Sequence, residues 1–292
     1  MANKQKMTTV GRKPPVPLRE ALDIAELCGT DPCDVNLALG SFWLGSRTSF
    51  ESRLVKVFKS CVPAQHFEPH ISQLCRFYAG LVVERTHGDK FDWVVRVLSS
   101  SESESDTSRP QSVLADMLCS AIGARNATDL FFKSAARPPM RVVDRLGGAE
   151  ALKSRLRYVA QELFMRPAKL SGSVLLIDDI CNTGASTRVY ASALKQLAGA
   201  SRVDAVNLAA TRFARGKDGR GMLQLDVSGL ADQPALGQVW TDGASVLHLR
   251  QDCPSAQKPI ACEVRFMAER NASLCPACAP APVATRKWWQ IW

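Results

Sequence analysis

Long apolar runs are missing from this chain: no stretch approaches the roughly 20 consecutive apolar residues that cross a bilayer. The N-terminus MANKQKMTTVGRKPPVP likewise lacks the apolar segment of a secretory signal. Membrane and exported classes are set aside on these grounds, and a cytoplasmic protein is expected. No Gly-x-Gly-x-x-Gly fingerprint and no Walker lysine accompany the one phosphate-type turn, which argues against dinucleotide-binding and P-loop sites. No internal repeat is evident. What remains is a chain of 292 residues, 46% hydrophobic, long enough to bury a full core as one large domain or two smaller ones. Its formal charge of +9 favours polyanionic partners, either nucleic acid or a phosphorylated substrate, without distinguishing them.

The most informative stretch is VLLIDDICNTGAST, Val174 to Thr187. Val174, Leu175, Leu176 and Ile177 form a continuous apolar run, the pattern of a parallel strand buried on both faces. That places Asp178 and Asp179 at the strand's carboxyl end, the edge at which open α/β sheets bind ligands. The turn Asn182, Thr183, Gly184, Ala185, Ser186 and Thr187 then offers hydroxyls and backbone N–H groups at a helix start, where phosphate is the natural guest. A helix is expected from about Thr187 to Leu197, closed by Gly199. A strand-end acid pair can also simply cap a turn. Cys181 reads as packing, since nothing near it in sequence lowers a thiol pKa.

Elsewhere, strands are expected at Val35–Leu44, Phe91–Leu98, Ala127–Phe132 and Val203–Thr211, with helices at Ser49–Lys59, Glu68–Val83 and Ser112–Ile122. The Phe91–Leu98 strand empties into Ser99, Ser100 and Ser101, followed by Glu102 and Glu104. These serines are either a pyrophosphate cradle or part of a flexible acidic surface loop. Lys133 to Arg166 is a long basic segment containing Arg137, Arg141 and Arg157, irregular at its Arg-Pro-Pro-Met start. Gly216 to Gly221 is the best internal boundary.

Ten cysteines in a long chain without an export signal suggest reduced thiols. Cys253, Cys262, Cys275 and Cys278 cluster late, and the last two have the Cys-Pro-Ala-Cys spacing of zinc knuckles. A structural Zn²⁺ and a set of unliganded thiols both fit. His248 is a substitute ligand.

In order, these pieces resemble the ComF (competence-associated) branch of the type I phosphoribosyltransferases. The resemblance rests on the central motif, on LGSFWLGSRTSFESRLVKVFKS, on Arg109, Pro110, Gln111, Leu114 and Ala115, and on Arg137, Pro138 and Pro139. It covers about Val35 to Ala214. It implies an α/β, parallel-sheet phosphoribosyltransferase fold with an N-terminal hood and a small cysteine-containing C-terminal extension. The implied layout is a disordered basic lead (1–17), a hood (18–90), a core (91–215) and the extension (216–292). It further implies that Asp178 and Asp179 carry the catalytic and ribose-hydroxyl role and that Asn182 to Thr187 wrap the 5′-phosphate of phosphoribosyl pyrophosphate (PRPP). Ser99 to Ser101 would cradle pyrophosphate together with Mg²⁺, and a mobile loop supplying Arg137, Arg141 or Arg157 would close over the leaving group. The family's N-terminal four-cysteine zinc module is missing. The expected activity is transfer of a 5-phosphoribosyl group to a nitrogenous acceptor, with a link to DNA uptake or processing. The alternative is a non-catalytic sensor or nucleic-acid accessory on the same fold.

Overall fold

The computed structural model describes residues 14–44, 50–60, 62–67, 70–136, 148–213, 238–241, 246–248, 252–257, 260–263, 273–275 and 277. Its strands and helices follow one another as β1 (Val16–Pro17), α1 (Leu18–Ala21), α2 (Ile24–Gly29), β2 (Val35–Leu44), α3 (Phe50–Ser60), α4 (His70–Arg85), β3 (Trp93–Arg96), α5 (Pro110–Ile122), β4 (Arg125–Asn126) and β5 (Phe131–Lys133). There follow α6 (Gly148–Gln161), β6 (Leu163–Met165), β7 (Ser173–Cys181), α7 (Ala185–Gln196), β8 (Arg202–Phe213), β9 (Gln238–Thr241), β10 (Val246–His248), β11 (Ile260–Glu263) and β12 (Ser273–Leu274). No described helix is long and apolar enough to cross a membrane.

This is a mixed α/β protein built on a five-stranded sheet of order β2-β8-β7-β3-β4. β7 pairs parallel with β3, and β3 parallel with β4. The register sets Val94 beside Leu175, Val95 beside Leu176 and Arg96 beside Ile177. The apolar run behaves as its composition demands, with Val174, Leu175, Leu176 and Ile177 all essentially inaccessible to water. One face of the sheet, carrying Trp93, Val95, Val174 and Leu176, packs into a core with Leu156, Val159 and Ala160 of α6 and Val189, Tyr190, Ala193 and Leu194 of α7. A small antiparallel sheet, β1-β6-β5, contributes Phe131 and Met165 to the same core.

The chain forms two compact units, each assembled from three segments. The first comprises Met1–Ala38, Val82–Thr107 and Ala115–Asn207; the second comprises Leu39–Leu81, Ser108–Leu114 and Leu208–Trp292. The second unit holds a four-stranded sheet of order β11-β9-β10-β12 and buries Leu54, Val55, Phe58, Ile71, Leu74 and Tyr78 from α3 and α4.

Three expectations are corrected. The strand expected at Ala127–Phe132 is instead a turn between β4 and β5, with strand only from Phe131, because the Leu130 N–H donates to the Ala127 carbonyl at 3.2 Å. The lead is not irregular throughout: Val16 and Pro17 pair with Met165 and Phe164, an edge position that tolerates proline. And the signature strand runs to Cys181, four residues past the apolar run, while its helix starts at Ala185.

Candidate functional site

The site is built beyond the carboxyl end of β3, where β7 continues through Asp178 and Asp179 to Cys181. Parallel pairing carries past Arg96, whose neighbour is Ile177, to a bond from the Val97 N–H to the Ile177 carbonyl at 2.9 Å. The serines after β3 and the acid-bearing last part of β7 therefore lie at the same end of the sheet.

On β7, Asp178 is half-buried and Asp179 buried. Successive strand residues face opposite sides, so the two carboxylates are not equivalent. The Asp179 N–H donates to Asp178 Oδ1 at 2.8 Å, which fixes the orientation of the first carboxylate. Cys181 follows, its thiol pushed up to about 11 by burial and then by the neighbouring Asp178 charge. That is the chemistry of a packing residue, not of a nucleophile.

Asn182 is exposed, and Thr183 and Gly184 are partly so. Gly184 caps α7 in the left-handed region, at φ 74°, where a side chain is strained. Having no side chain, it leaves the first-turn N–H groups of Ala185, Ser186 and Thr187 without a side-chain cap, and no acid lies in that turn. A helix N-terminus so arranged favours an anion. Thr187, expected among the phosphate ligands, is itself buried and donates its hydroxyl to the Gly184 carbonyl at 2.9 Å, bracing the turn. Arg188 points away to α2, donating to the Leu27 carbonyl at 2.8 Å.

The partner loop is ordered by residues that sequence reading passed over. Arg96, wholly buried, grips Glu102 with two bonds of 2.5 and 3.0 Å. Glu102 also accepts the Ser99 N–H at 2.7 Å and the Asp106 N–H at 3.2 Å. Lys133, buried on β5, donates Nζ to the carbonyls of Ser99 at 2.7 Å and Ser100 at 3.0 Å. The acidic surface loop is thus a closed turn whose glutamate faces inward and is neutralised. Its surface carries the Ser99 and Ser101 hydroxyls, 3.3 Å apart, while the Ser99 N–H is already engaged. Glu104, by contrast, is exposed and paired with Arg166. Tyr190 of α7 accepts the Leu98 N–H at 3.1 Å, so the helix behind one turn holds the start of the other. The sequence holds one trace of this, a lone arginine inside an apolar strand six residues before a glutamate, and that spacing does not say which way the glutamate faces.

Of the expected basic residues, Arg157 stands exposed on α6 rather than in a loop, and Arg137 and Arg141 lie outside the described residues. Among the late cysteines, Cys253 and Cys275 are buried with sulfurs 3.7 Å apart, and His248 is buried beside them. Cys262 belongs to β11, and Cys278 lies outside the described residues.

No protein-family model matches the chain, and no curated protein sequence matches it significantly. Among solved structures it is similar to adenine phosphoribosyltransferase from Saccharomyces cerevisiae complexed with D-2,5-dideoxy-2,5-imino-altritol 1,6-bisphosphate and adenine. That likeness has 18% identity, covers 54% of this chain and 78% of that one, and has a TM-score of 0.31. A second adenine phosphoribosyltransferase structure is similar at 17% identity, over 53% of this chain and 76% of that one, with a TM-score of 0.29.

Proposed function

We propose that the shared edge of β3 and β7 binds PRPP or a related 5-phosphorylated ribose. The observation that carries the reading is the convergence, through parallel pairing, of an acid-bearing strand end, an uncapped helix start and a serine turn on one edge. Asp178 would accept from the ribose hydroxyls, which need paired acceptors, and the buried Asp179 would back it. The N–H groups of the turn and first helical turn, with the Thr183 and Ser186 hydroxyls, would hold the 5′-phosphate. The pyrophosphate would lie toward Ser99, Ser100 and Ser101.

Carboxylate oxygens at this edge are the hard donors Mg²⁺ takes, and the ion would supply charge neutralisation at the pyrophosphate. In a transferase, the chain's own part is to position the ribose and leave its anomeric carbon open to a nitrogenous acceptor as oxocarbenium character develops. The sequence resemblance assigns this activity to the ComF branch and its DNA-linked roles. A second reading, recognition without turnover, is favoured by one detail: the Ser99 N–H and the Lys133 ammonium, donors of the kind a pyrophosphate needs, are engaged inside the turn. Release of pyrophosphate from PRPP, in the presence of candidate acceptors, separates transferase from sensor.

Titration calorimetry with PRPP and Mg²⁺ tests the site itself. The wild type is expected to bind, and Asp178→Ala/Asp179→Ala to bind at least about tenfold more weakly, the loss of one charge-assisted contact. No binding by a folded wild type, or equal binding by the double variant, rejects the proposal.

A further inference from the structure

We propose that His248, Cys253 and Cys275 bind a zinc ion that staples the second compact unit. The inference stands apart from the phosphoribosyl reading, and either can fail without the other. Its first support is topological. β10 and β12 pair parallel with Val246 beside Ser273 and Leu247 beside Leu274, so the next step of the ladder sets His248 beside Cys275. Residues 27 positions apart in sequence thus become neighbours on one sheet. Cys253 arrives from the turn that follows β10, where the Ala256 N–H donates to the Cys253 carbonyl at 3.0 Å.

The second support is geometric. The ligand atoms of the three residues lie within 4.8 Å of one another, and all three residues are buried. The two sulfurs are 3.7 Å apart, at hydrogen-bond distance, and form no disulfide. Two thiolates at about 2.3 Å from one tetrahedral zinc stand about 3.8 Å apart, whereas a disulfide requires about 2.0 Å. Two soft thiolates and an imidazole are the donor set that zinc takes in structural sites. Among the described residues the group consists of these three ligands.

The register also separates Cys262 from this group. Cys262 pairs with Val239, one step out of the row in which Trp240 pairs with both His248 and Ala261. Its strand, β11, lies two positions from β10 in the sheet, about 9–10 Å away. The late cysteines are therefore not one interchangeable set.

The strands of this sheet are only two to four residues long. Elements this short gain from a metal that ties them together.

The test uses the full chain. Elemental analysis of protein purified without chelator is expected to give about one zinc per chain. After metal removal, added Co²⁺ should give the ligand-field bands of a tetrahedral site and a thiolate-to-cobalt charge-transfer band, both abolished by Zn²⁺. Cys253→Ser and Cys275→Ser should each weaken the charge-transfer band, His248→Ala should change the ligand-field bands, and Cys262→Ser should leave the spectrum unchanged. A folded wild type with neither zinc nor a tetrahedral cobalt spectrum overturns the proposal. So does a Cys253–Cys275 disulfide in peptide mapping, or a full-strength charge-transfer band in either folded serine variant. Should those variants not fold, the wild-type metal content and cobalt spectrum decide the question.

Discussion

Arg96 and Glu102 form a buried ion pair, and the energetics of such pairs are asymmetric. Making one gains little over an apolar pair, because both ions lose their hydration, but removing one partner strands a charge. Glu102→Ala is therefore expected to lower unfolding stability by about 3–5 kcal/mol in urea titration, and Arg96→Met/Glu102→Leu to lower it less. A single variant within about 1 kcal/mol of wild type would show that the pair does not organise the serine turn. Cys181 makes the opposite kind of prediction. With its thiol at about 11, about one molecule in a thousand is thiolate at pH 8. Peptide-resolved alkylation at Cys181 should be slow there and rise about tenfold per pH unit up to pH 10. Fast labelling at pH 7 would mean a reactive cysteine. In the sequence, Cys181 was legible as packing because it has no basic neighbour. The role of Glu102 was not, since its partner sits inside a strand and only folding turns the glutamate inward.

At the level of elements, the parallel pair β3–β7 is clipped at the end remote from the site. The Asp92 N–H donates to the Ser173 carbonyl at 2.9 Å, and the Asp92 carboxylate accepts the Ser173 N–H and hydroxyl at 2.8 and 3.1 Å. Those bonds, the backbone one foremost, hold the Asp92 carboxyl below the usual carboxylate range. Gly172 permits the clip: at φ 104° an added Cβ would lie 2.1 Å from Asp92 Oδ2. Gly172→Ala is expected to lower the melting temperature by about 5 °C at neutral pH. The pH dependence follows from the sign. A carboxyl whose folded pKa is depressed contributes stability that is present above about pH 4 and lost as pH falls through the lowered value. The wild type should therefore lose more melting temperature on acidification from pH 5 to pH 3 than Gly172→Ala does. An identical acid profile for the two would exclude the clip as a source of that dependence. The strands and helices themselves were largely readable from periodicity. The exceptions lay where hydrogen bonding rather than pattern decides, as in the Ala127–Leu130 turn and the extension of β7 through Asp178 to Cys181.

At the level of the whole molecule, the glycine-rich break at Gly216 suggested that the C-terminal region is an appended extension. The compact units do not divide there: Leu208–Trp292 belongs with Leu39–Leu81, which carries the buried face of α3 and α4. A chain ending at residue 215 keeps that apolar face and loses most of its unit. It is expected to bind the dye ANS and to aggregate on mild heating. A truncated chain with wild-type melting behaviour and no dye binding would show instead that the extension is dispensable.

Local chemistry and periodicity settled what can be settled within a few turns of chain. A continuous apolar run was legible as a buried strand, and the small polar turn after it as the start of a helix. The same pattern placed Asp178 and Asp179 toward the carboxyl end of that strand. Three matters needed residues distant in sequence to become neighbours, and only the tertiary structure decided them. Arg96 neutralises Glu102 and Lys133 holds the Ser99 and Ser100 carbonyls, drawing the serine turn shut, because β3 and β5 carry them inward. Strand alternation makes Asp178 and Asp179 unequal. The parallel register of β10 and β12 sets His248 against Cys275 and leaves Cys262 in another row, which no spacing along the chain could have shown.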